Sequence, residues 1–180
     1  VTNSDPDPMN WFVSPLIDDV GPITSSVDLL LNKTTKKLWI FFGEGRYFYT
    51  GDDLSSQRRI FGIADPCYNY DVNHINMLST TLATCPAVTI ASLKDQTSSP
   101  LASLGSTDKG WYINLAAASG TSGAERMKLS AVSASFNGVV FFPTFAPSTD
   151  LCIAGGDPSL WAVNYSSGGT PPSRAMQGKV

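Results

Sequence analysis

Short runs rich in Val, Ile, Phe, Tyr and Trp recur along the chain between clusters of Gly, Pro, Asn and Ser, and apolar positions almost never repeat at the helical spacing. That pattern predicts an all-β fold. The expected strands are 27–31, 38–42, 60–64, 87–91, 110–115, 127–136, 139–142 and 160–165. Asn137-Gly138 separates two of them and predicts a tight hairpin, because both residue types tolerate positive φ. The one helical candidate is 73–83, where Ile75, Leu78 and Leu82 share a face, although Ser79, Thr80 and Thr81 are poor helix formers.

Several runs are apolar on both faces, notably Leu38-Trp-Ile-Phe-Phe42 and Val139-Val-Phe-Phe142. Such strands need cover above and below. A simple sandwich covers one face of each sheet, whereas the stacked sheets of a propeller or solenoid cover two. An internal repeat points the same way. Ile23-Thr-Ser-Ser-Val27, Trp39-Ile-Phe-Phe-Gly43 and Phe61-Gly-Ile-Ala-Asp65 parallel Lys128-Leu-Ser-Ala-Val132, Val139-Val-Phe-Phe-Pro143 and Trp161-Ala-Val-Asn-Tyr165. Phe41-Phe42 and Phe141-Phe142 stand 100 positions apart, as do Ile63 and Val163. Each copy has the size of a propeller blade. The expected architecture is therefore β-propeller-like blades of antiparallel sheets, forming a partial propeller or the C-terminal part of one. Its blade edges would be open to strand pairing with partners.

Composition narrows the function. With 180 residues and 42% hydrophobic positions the chain is globular, but only 15% of residues are charged. Its polarity comes instead from 22 Ser and 15 Thr. A net charge of −3, with the basic residues scattered, excludes the concentrated basic face that nucleic acid requires. No apolar run reaches the length that spans a bilayer. Val1-Thr-Asn-Ser-Asp5 has neither the charged nor the apolar part of a signal peptide, and the missing initiator Met predicts trimming from a longer precursor.

Of three cysteines, Cys67 and Cys85 enclose a polar segment, and a bridge between them would stabilise by about 3 kcal/mol in the chain-entropy account. The expected disulfide is Cys67–Cys85, which places the protein in an oxidising compartment. Cys152 is left free or paired with another chain. Asn32 and Asn164 begin Asn-x-Thr and Asn-x-Ser triplets, which are too short to imply glycosylation.

Candidate chemistry is sparse. His74 is the only histidine, so the chain can build neither a multi-histidine metal site nor a serine triad with any other histidine as base. Gly43-Glu-Gly-Arg46 lacks the rest of a phosphate-binding loop and reads as a tight turn. Asp71-Val-Asn-His-Ile-Asn76 has Asn76 where a calcium loop needs Gly, and Leu82 where it needs the bidentate Glu. Asp53-Leu-Ser-Ser-Gln57 is one residue short of the Asp-x-Ser-x-Ser adhesion pattern. Asp5, Asp7, Asp18-Asp19 and Asp52-Asp53 could ligate Ca²⁺ only if the fold gathered them, and they read as solvated turns. Nothing in the sequence singles out Glu44 and Glu125 as a glycosidase pair. Trp39, Trp111, Trp161 and the Phe pairs read as core. No catalytic residue, cofactor site or metal site is predicted.

Six segments recur in order in one family: Ile40-Phe-Phe-Gly-Glu-Gly-Arg-Tyr47, Ile60-Phe-Gly-Ile-Ala-Asp65, Gly110-Trp-Tyr-Ile-Asn-Leu115, Glu125-Arg126, Gly138-Val-Val-Phe-Phe-Pro-Thr144, and Asp150-Leu-Cys152 with Gly155-Gly156. In these the chain resembles the C-terminal propeller of PilY-type type IV pilus proteins. Leu160-Trp-Ala-Val-Asn-Tyr-Ser-Ser-Gly168 is also similar to the blade-ending strand of quinoprotein-like propellers. The resemblance covers 23–169, with 1–22 as an N-terminal extension, the Cys67–Cys85 loop as an insertion, and 170–180 as a tail. It implies a non-enzymatic extracellular or cell-surface module, associated with type IV pilus or surface-filament assembly and adhesion. Implied partners are pilin, minor pilins or another chain that completes the propeller. The family's von Willebrand-like region and Asp-rich calcium loop have no counterpart here. Alternatives are a remnant quinoprotein dehydrogenase, for which the chain offers no quinone or calcium ligand set, and a carbohydrate-binding, lectin-like propeller.

Overall fold

The computed structural model describes residues 7, 9, 15–49, 51–70, 76–78, 86–98, 100, 103–128, 134–150, 152, 155–171 and 178–179. In chain order the strands are β1 (Asp28–Asn32), β2 (Lys37–Gly43), β3 (Arg59–Ala64), β4 (Tyr68–Tyr70), β5 (Asn76–Leu78), β6 (Lys94–Asp95), β7 (Gly110–Asn114), β8 (Arg126–Met127), β9 (Ala134–Phe136), β10 (Val139–Pro147), β11 (Gly156–Asn164) and β12 (Gly178–Lys179). The first sheet runs β1-β2-β3-β7-β6 and the second β12-β11-β10-β8, with β9 also on β10; β4 and β5 form a small hairpin. Every pair is antiparallel except β6 with β7. The fold is all-β, built of blade-like sheets that close no barrel.

Alternation along β2 sends its aromatic residues both ways. Trp39 and Phe41 join Trp111, Ile113, Met127, Val140, Phe142 and Val163 in a core between the two sheets. Phe42 turns to the opposite face and packs with Phe61, Ile63, Val88 and Leu93. Sheet against sheet thus hides one face of the first ribbon. Among the described residues the other face is covered by Leu16, Ile17 and Val20 and by the segment around Val88 and Ile90, not by a third sheet.

The repeat is geometric as well as sequential. Ile40 pairs with Ile63, Phe41 with Gly62 and Phe42 with Phe61 in the first sheet. In the second, Val140 pairs with Val163, Phe141 with Ala162 and Phe142 with Trp161. Each register pair recurs 100 positions later. The incoming strands differ, because β1 reaches β2 through residues 33–36 whereas β9 reaches β10 through Asn137-Gly138 alone. Asn137 has φ 48° and Gly138 φ 83°, as the hairpin dipeptide predicts.

Four segments depart from the sequence expectation. The strand expected at 127–136 is divided between β8 and β9, with Lys128 in neither and 129–133 outside the described residues. In place of a strand at 87–91, Val88 makes a single bridge to Ile17 and a 3₁₀ turn occupies Ile90–Ser92. There the Ser92 hydroxyl donates to the Thr89 carbonyl at 2.7 Å and accepts from the Thr89 N–H, which competes with a strand ladder. Within 73–83, expected as a helix, Asn76–Leu78 is strand β5, and the remaining positions lie outside the described residues. β10 runs past Pro143 to Pro147. In an antiparallel strand a residue's N and C=O face the same neighbour. The Pro143 carbonyl accepts from Lys128 N–H and that of Pro147 from Gly123 N–H, both away from β11. The missing proline donors therefore leave the β10–β11 ladder intact.

Candidate interaction surface

β2 ends at Gly43, and the following segment is held in place by buried charge. The Glu44 carboxylate accepts from Gly21 N–H (2.8 Å), Arg59 N–H (2.9 Å) and the Arg59 guanidinium (2.9 Å), tying residues 20–22 and β3 together. Gly45 N–H donates to the Pro22 carbonyl and Thr24 Oγ1 to the Gly45 carbonyl. Glu125 is fully buried and accepts from Thr144 Oγ1, from Trp161 Nε1 (3.0 Å) and from Ala116 N–H (3.2 Å). The two glutamates are separate structural anchors with different partners.

Past Glu44 the chain makes a loop organised by Asp52. Its Oδ2 accepts from the N–H groups of Phe48 (2.6 Å) and Tyr49 (3.0 Å), and its Oδ1 from Arg46 Nε (2.5 Å). Those bonds, chiefly the one from Phe48 N–H, hold the Asp52 carboxyl below its usual range. Buried Arg126 braces the loop from behind, with Nη1 donating to the carbonyls of Arg46 (3.0 Å) and Asp53 (2.9 Å) and Nε to Ala124 (3.0 Å). Burial lowers the guanidinium's pKa, and its charge is spread over carbonyl oxygens. The product is a fixed platform of aromatics facing solvent: Tyr47 is 44% exposed, Phe48 53% and Tyr49 73%. Sequence reading missed it, because Asp52 accepts from N–H groups that precede it, Phe48 and Tyr49, and not from the following residues as in an Asx turn.

The Asp53-Leu-Ser-Ser-Gln57 stretch is a capped turn. Asp53 Oδ1 accepts from Ser55 N–H and Oγ (both 2.9 Å) and from Ser56 N–H (3.0 Å), while Oδ2 pairs with Arg58 (3.0 Å). The bonds from Ser56, then Ser55, hold Asp53 well below the ordinary carboxylate range. Asp52–Ser55, residues 118–120, Ser122 and Thr149 enclose an open groove of about 390 Å³. Among the described residues, no group of three or more His, Cys, Asp and Glu could hold a metal ion. His74 and most of the Asp71–Asn76 motif lie outside them.

Cys67 is buried and takes part in a disulfide, with its N–H on Asp65 Oδ1 at 2.8 Å. Cys152 is exposed and free. Cys85 lies outside the described residues, so the pairing of Cys67 with Cys85 remains a proposal. Asn32 Nδ2 donates to the distant Tyr165 hydroxyl, and Asn164 Oδ1 accepts locally from Ser166 N–H and Oγ.

At the edge of the first sheet, β1 pairs among the described residues only with β2. Leu30 packs inward, whereas Leu29 and Val27 are at least half exposed, with Ile23 nearby in sequence at 39%. No helix among the described residues is long and apolar enough to cross a membrane.

No family model matches the chain and no curated protein does. Among solved structures, it is similar to the crystal structure of the Pseudomonas aeruginosa PilY1 C-terminal domain, with a TM-score of 0.59 and 17% identity over 87% of this chain. The fold is therefore PilY-like. The chain spans about a third of that domain's length, 35%.

Proposed function

We propose that this protein is a non-enzymatic β-propeller-type module of the cell surface, which works with a type IV pilus or related filament in assembly and adhesion. The observation that supports it is the likeness of nearly the whole chain to the PilY1 C-terminal domain. The β1 edge of the first sheet, where Val27 and Leu29 are at least half exposed, suits docking onto further blades or onto a filament subunit. Partners of this kind are pilin, minor pilins or a chain that completes the propeller.

The test is native cross-linking and pull-down from cells that display surface filaments. Recovery of pilin, minor pilin or a propeller-completing chain is the expected result. Recovery of none of these from filament-bearing cells defeats the proposal.

A further inference from the structure

The groove beside the Asp52 loop has a chemistry of its own. Its volume, about 390 Å³, lies in the range of small-molecule sites. Of the two acidic residues on its wall, Asp52 has a buried side chain tied to Arg46, and Asp53 is paired with Arg58. With both carboxylates so paired, the groove has little to attract an ion. The Ser119 and Ser122 hydroxyls, in contrast, have no side-chain hydrogen bond in the structure, because this turn is closed by its backbone groups, Ser119 N–H to Ser122 carbonyl and the reverse. Thr149 adds a third hydroxyl, which donates to the Thr121 carbonyl at 3.0 Å and so offers a ligand only its acceptor side, and Leu54 and Ala118 supply apolar surface.

Hydroxyl hydrogen-bonding groups, small apolar patches and compensated charge match a ligand that is neutral, rich in hydroxyls and edged with C–H groups. Asp52 also joins the groove to the aromatic platform, since the carboxylate that holds Phe48 and Tyr49 belongs to a groove residue. Exposed aromatic faces on a rigid loop offer contact area at low entropic cost. We infer that this groove is a carbohydrate-binding subsite for a neutral oligosaccharide, flanked by the aromatic platform of residues 47–49. The inference does not depend on filament association.

The experiment uses the 180-residue chain. An array of neutral, amino and acidic oligosaccharides is followed by NMR titration with lactose, mannobiose and N,N′-diacetylchitobiose. At least one neutral glycan is expected to bind, with shifts at Ser119, Ser122 and Thr149 and an affinity unchanged between low and high salt. Ser122→Trp, which fills the groove, should weaken it by roughly tenfold or more, and Tyr49→Ser by a smaller factor. Thr149→Trp replaces Ser122→Trp if the latter does not fold. Absence of any neutral-glycan binding, undiminished binding in the groove-filling variant, or shifts elsewhere on the protein would overturn the inference. So would occupation of the groove by a filament peptide that excludes the sugars.

Discussion

Asp52 and Asp53 carry the local order of the aromatic loop through their ionised forms. Both titrate below the ordinary value of 3.8 when folded. A lowered folded pKa gives stability that is complete above the unfolded value and is lost as pH falls through the folded one. Thermal unfolding should therefore be insensitive to these groups from neutral pH to about 4, with their contribution fading below 3.8. Asp52→Ala should make that acid slope shallower and free the N–H groups of Phe48 and Tyr49 to exchange, which hydrogen exchange reads directly. Glu125 gives a second residue-level prediction. Glu125→Ala strips the acceptor from Thr144 Oγ1, Trp161 Nε1 and Ala116 N–H in a dry site, and should cost about 3 kcal/mol or more in denaturant unfolding. Glu125→Gln, which keeps an acceptor, should cost less.

At the scale of elements, one indole locks the two sheets together. Trp111 on β7 lies across from Gly62 on β3, and its Nε1 donates to the Tyr165 carbonyl just past β11 at 2.9 Å. A Cβ at position 62 would come within 2.4 Å of the Trp111 ring, and one at Gly168, with φ 71°, within 2.5 Å from the second sheet's side. The ring therefore fills space that only glycines leave open. Gly62→Val should destabilise by about 3 kcal/mol and should lower the unfolding midpoint far more than Ala162→Gly, which removes only a methyl. The repeated β2–β3 and β10–β11 hairpins were legible because two Phe-Phe ribbons and their partners keep one spacing. The 3₁₀ turn at Ile90–Ser92 was not, because its composition is strand-like and a single hydroxyl bond decides against the ladder.

For the molecule as a whole, the open question is what meets the β1 edge. Val27→Lys with Leu29→Lys places charge on exposed positions, so stability should change by no more than about 0.5 kcal/mol. If companion blades dock there, the same double variant should lose its partners in native pull-down, whereas Lys33→Ser should keep them. The proposed Cys67–Cys85 bridge belongs to this scale too, because it would close a long excursion. Peptide mapping of unreduced secreted protein should recover Cys67 joined to Cys85 and Cys152 as a free thiol or in a mixed disulfide. A free thiol at Cys67 would refute the pairing.

By itself the sequence determined the all-β class, the hairpin at Asn137-Gly138, the two matching ribbons and the likeness to PilY-type propellers. Period-two alternation, turn residues and fixed spacing are properties of neighbours along the chain, and they survive without knowledge of what packs on what. Tertiary structure alone decided that Leu16, Ile17, Val20 and the segment around Val88 cover the outer face of Phe42 and Phe61. It also decided that Glu44, Glu125 and Arg126 are buried anchors, and that residues around Ser55, Ser119 and Thr149 meet in one groove. Those outcomes depend on which segments, remote in sequence, converge in space. In a chain so poor in charge, only that convergence separates a buried carboxylate from one turned to water.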